Sequence, residues 1–381
     1  VAVKYEQPKV WDLRWDDLFT EDLVLNVGPQ HPSTHGVLRL VVTSDGEVIK
    51  DIEPHLGFLH RGMEKHSEIK EYRQIIPLWE RNDYLSAMHM GYMVTSAAES
   101  LMDIEVPRRA EYIRVIMLEL QRIASHLFWF ASFALDSGAV TPLFYALKER
   151  EKIVDLFELA SGARLLYNYI RPGGVRRDID AEFMEGLAAF LKHFNRYLDE
   201  CEQLYSGNAI FINRAKNIGV LSREAAINLG VSGPVLRGSG VEWDIRKHEP
   251  YSIYPELNFD IPIGENGDVL DRYNVRFYEM RMAAEIVRQA MDGLPEGDYV
   301  TKVPPSIKTK QGEVYVRQEA SRGELGCYLV SDGGKNPWRL HVRPPSFLNL
   351  GALATMCRGY MFADLIIILG SIDIVLGDVD K

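Results

Sequence analysis

Arg108-Arg-Ala-Glu-Tyr-Ile-Arg-Val-Ile-Met-Leu-Glu-Leu-Gln-Arg-Ile-Ala-Ser-His-Leu-Phe-Trp-Phe-Ala-Ser-Phe-Ala-Leu135 decides the fold class. Apolar residues return at helical spacing (Ile113, Ile116, Leu120, Ile123, Leu127), and Pro107 suits the entry to a first helical turn. The spacing predicts one long helix. Further helices are expected over 84–101, 142–169 and 181–204, with Arg171-Pro-Gly-Gly174 as a stop signal. Short connections between such helices suggest a bundle over residues 61–206.

Strands flank the bundle. Leu23–Val27 reads as one, and 37–43 pairs with 47–52 across an Asp45-Gly46 turn. Residues 1–20 read as an extended segment, and 21–60 as a β-hairpin subdomain. The stretch 207–381 is a C-terminal α+β region. It is irregular over 207–265, helical over 271–294 and a short linker over 304–311. Strands follow at 313–316, 325–330 and 338–342, then a short helix at 362–370. Strands, helices, then strands give the α+β class.

Composition narrows the function. The chain has 381 residues, of which 46% are hydrophobic and 25% charged, as in ordinary globular proteins. Acidic residues outnumber basic ones, 54 to 43, so nucleic acid is not an expected partner. Cys201, Cys327 and Cys357 are odd in number and far apart, so a reducing compartment and no disulfide framework are expected. No Cys-x-x-Cys pair is present to hold an iron–sulfur cluster, and no bound metal is expected. The most apolar runs, 127–135 and 365–369, are shorter than the ~20 residues a bilayer requires, and no signal peptide is read. Gly-x-Ser-x-Gly, P-loop and Gly-x-Gly-x-x-Gly patterns are absent.

Four stretches carry candidate chemistry. His31-Pro-Ser-Thr-His35 holds two histidines within a Pro- and Gly-rich loop. Zinc ligation, a solvated structural loop and proton delivery are the three readings; Pro32 argues against the helix that zinc ligands at this spacing favour. Tyr84 in Arg81-Asn-Asp-Tyr84 is either a core tyrosine or a hydroxyl donor to a substrate. Asp136 follows a strongly apolar run and is a helix-boundary cap or a paired carboxylate. The stretch Leu59–Lys65 reads as a solvated loop and helix start.

Taken in order, ten stretches resemble one family. They are Gly28-Pro-Gln-His-Pro-Ser-Thr-His-Gly36, His60-Arg-Gly-Met-Glu-Lys65, Asn82-Asp-Tyr84, Arg122-Ile-Ala-Ser-His126, Asp136 with Thr141-Pro142, Phe144-Tyr145, Arg171-Pro-Gly-Gly174, Arg322-Gly-Glu-Leu-Gly326, Arg343-Pro-Pro-Ser-Phe347 and Gly377-Asp-Val-Asp380. The set resembles the 49 kDa (D) subunit of respiratory complex I, the proton-pumping NADH:quinone oxidoreductase.

The resemblance implies the fold of the nickel–iron hydrogenase large subunit, without its metal, because the two Cys-x-x-Cys pairs are missing. It implies a quinone substrate bound by His35 and Tyr84, with Asp136 paired to His35 and His31 lining the same loop. Arg61 would lie beside the terminal iron–sulfur cluster, which the neighbouring iron–sulfur (B) subunit carries. The C and I subunits and the membrane-embedded H subunit are the other implied partners, with clusters and FMN on partner chains. The implied location is peripheral, on the cytoplasmic face of a bacterial inner membrane. His126 is assigned a supporting or core role.

Three departures from the family pattern stand out. Leu166 replaces a histidine that in some members couples cluster reduction to protonation, so a weaker pH dependence of the cluster potential is expected in redox titration. The 295–311 segment is short, and Lys381 stands where arginine is usual. The rival readings are the same subunit in a ferredoxin-fed photosynthetic complex, a non-catalytic scaffold and, remotely, a metal-dependent hydrolase.

Overall fold

The computed structural model describes residues 22–31 and 36–381. The expected extended segment 1–20 lies outside the described residues, and so does His35.

Alternation builds the first sheet. β1 (Leu23–Val27), β2 (Arg39–Asp45) and β3 (Val48–His55) form an antiparallel sheet in that order. Leu40, Val42 and Ser44 of β2 point inward, and the Asp45↔Val48 pairing leaves Gly46-Glu47 as the turn.

Two short helices, α1 (Met63–Glu68) and α2 (Tyr72–Trp79), lead to α3 (Ala87–Met102) and then α4 (Arg108–Asp136). The last is buried almost continuously from Tyr112 to Leu127, so it is the central helix. Charges on a helix so placed must be paired. Arg114 donates to Glu99 at 2.6 and 3.0 Å, Arg122 to Glu119 at 2.9 Å, and His126 Nε2 meets Glu279 at 2.9 Å. His126 is thus a buried, paired core residue.

After Ser137-Gly138-Ala139 the chain reverses into α5 (Val140–Ser161), which packs along α4. Periodicity carries this helix to residue 169, but it stops at Gly162, whose φ of +78° takes the left-handed C-cap position. Beyond it, β4 (Ile170–Arg171) and β5 (Gly174–Val175) form a minimal ladder before α6 (Ala181–Cys201).

The stretch expected to be irregular contains four short helices: α7 (Ala209–Ala215), α8 (Arg223–Asn228), α9 (Gly233–Gly238) and α10 (Ile245–His248). Asn208, Ser222 and Asp244 cap three of them with side-chain oxygens. Such helices are too short to show periodicity. Next, α11 (Val269–Asp292) packs on α4 and α6.

The expected C-terminal meander is present but longer. β6 (Gln311–Ala320), β7 (Gly323–Asp332) and β8 (Arg339–Arg343) form an antiparallel sheet packed on α3. Four short helices close the chain: α12 (Pro345–Leu350), α13 (Leu353–Cys357), α14 (Leu365–Ile372) and α15 (Leu376–Asp380). Helices and antiparallel sheets in separate blocks confirm the α+β class.

The β6–β7 hairpin tip, Ser321-Arg322, is driven into the interior, with both residues at most 1% exposed. Backbone meets backbone there. A Cβ on Gly233 (φ +65°) would lie 2.4 Å from Gly323 Cα, so only glycine lets α9 approach the tip.

Candidate functional site

Tyr84 sits on a rigid turn. The Asp83 carboxylate accepts from Leu85 N at 3.2 Å and caps the single 3-10 turn Tyr84–Ser86. Gln121 of α4 donates to Leu85 O at 2.8 Å, and Ser86 Oγ donates to Ser321 Oγ at 3.0 Å. Asn82, Asp83, Leu85 and Ser86 are buried, whereas Tyr84 is 41% exposed. The turn therefore offers one side chain outward. Partial burial raises the Tyr84 hydroxyl above its ordinary value, so it remains protonated at neutral pH.

Beneath the turn lies Arg322. Its Nη1 donates to both Asp83 oxygens, at 3.0 and 2.8 Å, and to Ser86 Oγ at 3.2 Å. Its Nη2 reaches Asp373 Oδ1 at 3.4 Å, and its Nε donates to Asp373 O at 2.9 Å. Asp378 is fully buried nearby and accepts from Ser346 N at 3.1 Å. Burial pushes Asp378 up to about 7, with the neighbouring Asp83 charge adding to the effect.

The short helix α15 draws the candidate stretches together. A Cβ on Gly36 would meet Leu376 Cδ1 at 3.1 Å, and one on Gly377 would lie 2.2 Å from Asn82 O and 3.6 Å from Arg61 Nη2. Asp380 accepts from Gly57 N and Leu59 N at 2.8 and 2.7 Å, and its carbonyl meets His60 Nδ1 at 2.7 Å. A cavity of about 320 Å³ lies beside it, lined by residues that include His60, Glu64, Arg339 and Asp380.

The sequence candidates are placed as follows. His31 pairs with Gly36 across the neck of its loop. Arg61, expected in a solvated loop, donates to Arg81 O at 3.4 Å and borders Gly377. Asp136 is the half-buried last residue of α4, fifteen residues beyond Gln121, or about 22 Å at the helical rise. Reading by motif misses Arg322, Asp83, Asp373 and Asp378 as one charge cluster. Asp83, Arg322 and Asp378 belong to quoted stretches, but only the fold shows that they share a site.

Leu166 has a φ of +61° and Asn168 a φ of +44°. Glu80, 1% exposed, pins this strained segment: both its oxygens lie 2.8 Å from Asn168 N. Burial raises Glu80 to about 7. The folded chain thus binds this proton more tightly than the unfolded chain. The contribution to stability is full below pH 4.5 and is lost as pH rises through about 7, amounting to about 3 kcal/mol. Glu80→Gln keeps an acceptor for Asn168 and is expected to remove this slope. Thermal melts of both proteins across that range will show the difference; parallel curves would refute it.

No cluster of three or more His, Cys, Asp or Glu suited to a metal occurs among the described residues. The three cysteines are buried, free and on separate elements, and burial raises each thiol, so they make no cluster-ligand set. A larger cavity, about 710 Å³ beside Tyr92, Tyr251 and Tyr315, contains none of the candidate residues. No helix among the described residues is long and apolar enough to cross a membrane.

Comparison with known proteins places nearly the whole chain in one family. The family model of the respiratory-chain NADH dehydrogenase 49 kDa subunit matches residues 136–309 and 302–381. The D subunit of the NADH-quinone oxidoreductase of Dehalococcoides mccartyi is 54% identical over 363 residues, which is 95% of this chain and 99% of the relative. The corresponding D subunits of Bacillus mycoides and Bacillus anthracis are each 51% identical over 362 residues, with the same coverage.

Proposed function

The chain belongs to the family of the 49 kDa subunit of respiratory-chain NADH dehydrogenase, one component of NADH-quinone oxidoreductase, and from that premise we propose that Tyr84 binds the quinone headgroup and supplies one of its two protons. The observation that carries the proposal is the outward tyrosine on a turn otherwise buried. Its hydroxyl holds a proton at neutral pH, and the turn that carries it is fixed by hydrogen bonds of Asp83, Gln121 and Ser86. Such a group is positioned before the substrate arrives, which lowers the reorganisation needed in the transition state.

His35 is the second donor in this reading, at the opposite carbonyl, with Asp136 stabilising its imidazolium and His31 lining the same loop. The neck of that loop rests on Leu376, on the element that also borders Asn82. Two oxygens accept two electrons and two protons, and the quinone becomes a quinol. The electrons come from the terminal cluster of the iron–sulfur (B) subunit. Arg61, exposed at the Gly377 turn, faces that cluster and favours its reduced form electrostatically.

The remaining partners follow from the same reading: the C and I subunits and the membrane-embedded H subunit, with FMN on a partner chain. Leu135, Val140, Phe144 and Tyr145 are 46, 50, 65 and 50% exposed around the α4–α5 corner that carries Asp136. An apolar corner of this kind suits docking on the membrane-embedded partner at the cytoplasmic face. The architecture is proposed to be that of the nickel–iron hydrogenase large subunit, with working units over 1–20, 21–60, 61–206 and 207–381.

Photolabelling tests the site. Complex purified through a tag on this chain is irradiated with an azidoquinone. Label is expected on the peptides containing Tyr84 and residues 28–37, and is expected to be displaced by excess quinone. Label confined to other subunits would reject the assignment.

A further inference from the structure

We propose that the buried acids Asp378, Asp83 and Asp373, gathered around Arg322, hold one exchangeable proton and return it to Tyr84 after each quinone reduction. The proposal rests on the reading of Tyr84 as a proton donor.

The geometry is that of a shared charge. Two carboxylates, Asp83 and Asp373, hold one guanidinium, Asp378 is buried near them, and each of the four side chains is at most 8% exposed. Asp83 holds Arg322 most closely, and Asp373 has one oxygen at 3.4 Å. Asp378 forms no ion pair among the described residues. Its Oδ1 and the Oδ2 of Asp373 are buried without a protein donor. Ionising all three acids at this depth would leave charge uncompensated, and one bound proton removes that penalty. Asp378 is the acid farthest from compensation, and burial raises it to about 7.

The surroundings do not supply the missing cation. Arg276 on α11 faces Asp373, but it donates to the carbonyls of Arg272, Ser371 and Ile372 and lies 4.5 Å from the Trp129 ring. From α12, Ser346 contributes neutral donors. Arg61 borders Gly377 from the exposed side. Tyr84, the residue that follows Asp83 and the 41% exposed member of a turn otherwise buried, is the titratable group that joins the cluster to the exterior.

The steps balance. The O–H bond of Tyr84 breaks as an O–H bond forms on the reduced quinone oxygen, leaving a phenolate. NADH supplies the electrons through the complex. The O–H bond of the carboxylic acid then breaks, and its proton restores the tyrosine hydroxyl. The carboxylate left behind takes a proton from solvent before the next turnover. Asp378 acts through Tyr84 and does not touch the quinone.

The test uses the intact complex. Asp378→Asn keeps an oxygen for Ser346 N but has no exchangeable acid proton. We expect kcat for quinone reduction to fall about 10-fold or more with KM unchanged, and the decline of rate with rising pH near 7 to disappear. Ser346→Ala removes a hydroxyl that favours the ionised acid, so that decline is expected to move to higher pH while the rate at low pH is kept. If Asp378→Asn does not assemble, the Ser346→Ala profile decides alone. An unmoved profile in Ser346→Ala, or unchanged kcat and profile in Asp378→Asn, overturns the proposal. Azidoquinone labelling of the same preparations separates the two claims. Label on the Tyr84 peptide with unmoved profiles rejects the proton store and leaves the quinone site standing. Absence of label from this chain rejects both.

Discussion

Replacing Tyr84 by phenylalanine is expected to lower quinone reduction by about 100-fold or more, within the range that a positioned general acid contributes. The ring is retained, and no structural hydrogen bond of the turn passes through its hydroxyl: Asp83, Gln121 and Ser86 make those bonds themselves. Assembly should therefore be intact. The measurement is NADH oxidation by intact complex, with quinone as acceptor and then with an artificial acceptor that takes electrons upstream. The first rate should collapse and the second remain. Unchanged quinone turnover would make this chain a scaffold at that position. Because partial burial raises the hydroxyl above its ordinary value, any decline of the wild-type rate from Tyr84 itself should come at higher pH than for an exposed tyrosine.

Arg322→Met carries the largest expected loss of stability. The substitution leaves Asp83 and Asp373 buried without their guanidinium and removes donors from Ser86 Oγ and Asp373 O. Breaking a buried pair on one side costs about 3–5 kcal/mol, because the surviving charge has no partner. The variant should melt well below wild type or fail to assemble. The double variant Asp83→Asn with Arg322→Met removes one stranded charge and should recover part of the loss. A single variant as stable as wild type would show that these acids are already neutral without the arginine.

The helices were legible where their periodicity was long. The spacing over 108–135 marks α4 almost to its ends, because an apolar sequence buried on all sides repeats its pattern for many turns. The end of α5 was obscured by Leu165, Leu166, Tyr167 and Tyr169, which extend an apolar pattern past Gly162 although the backbone has already left the helix. The small helices after residue 207 advertise themselves only by their caps. The candidate site was legible as motifs and not as geometry. Nothing in the spacing of Asp83 and Arg322, 239 residues apart, states that one neutralises the other. That pairing is written in the hairpin tip that buries Ser321-Arg322 and in the glycines that let it enter.

The role of α15 as the joint between distant stretches has a consequence in time. Gly57 and Asp380, linked by a hydrogen bond, are 323 residues apart. At a synthesis rate of about 5–20 residues per second, Gly57 is made roughly 15 to 60 s before its partner emerges. Contacts of such long range also close slowly, since the loop entropy is lost before the contact rewards it. The first sheet and the Tyr84 turn must therefore wait with Leu59, Asn82 and Asp83 uncovered, and the site comes into being as one of the last events of folding.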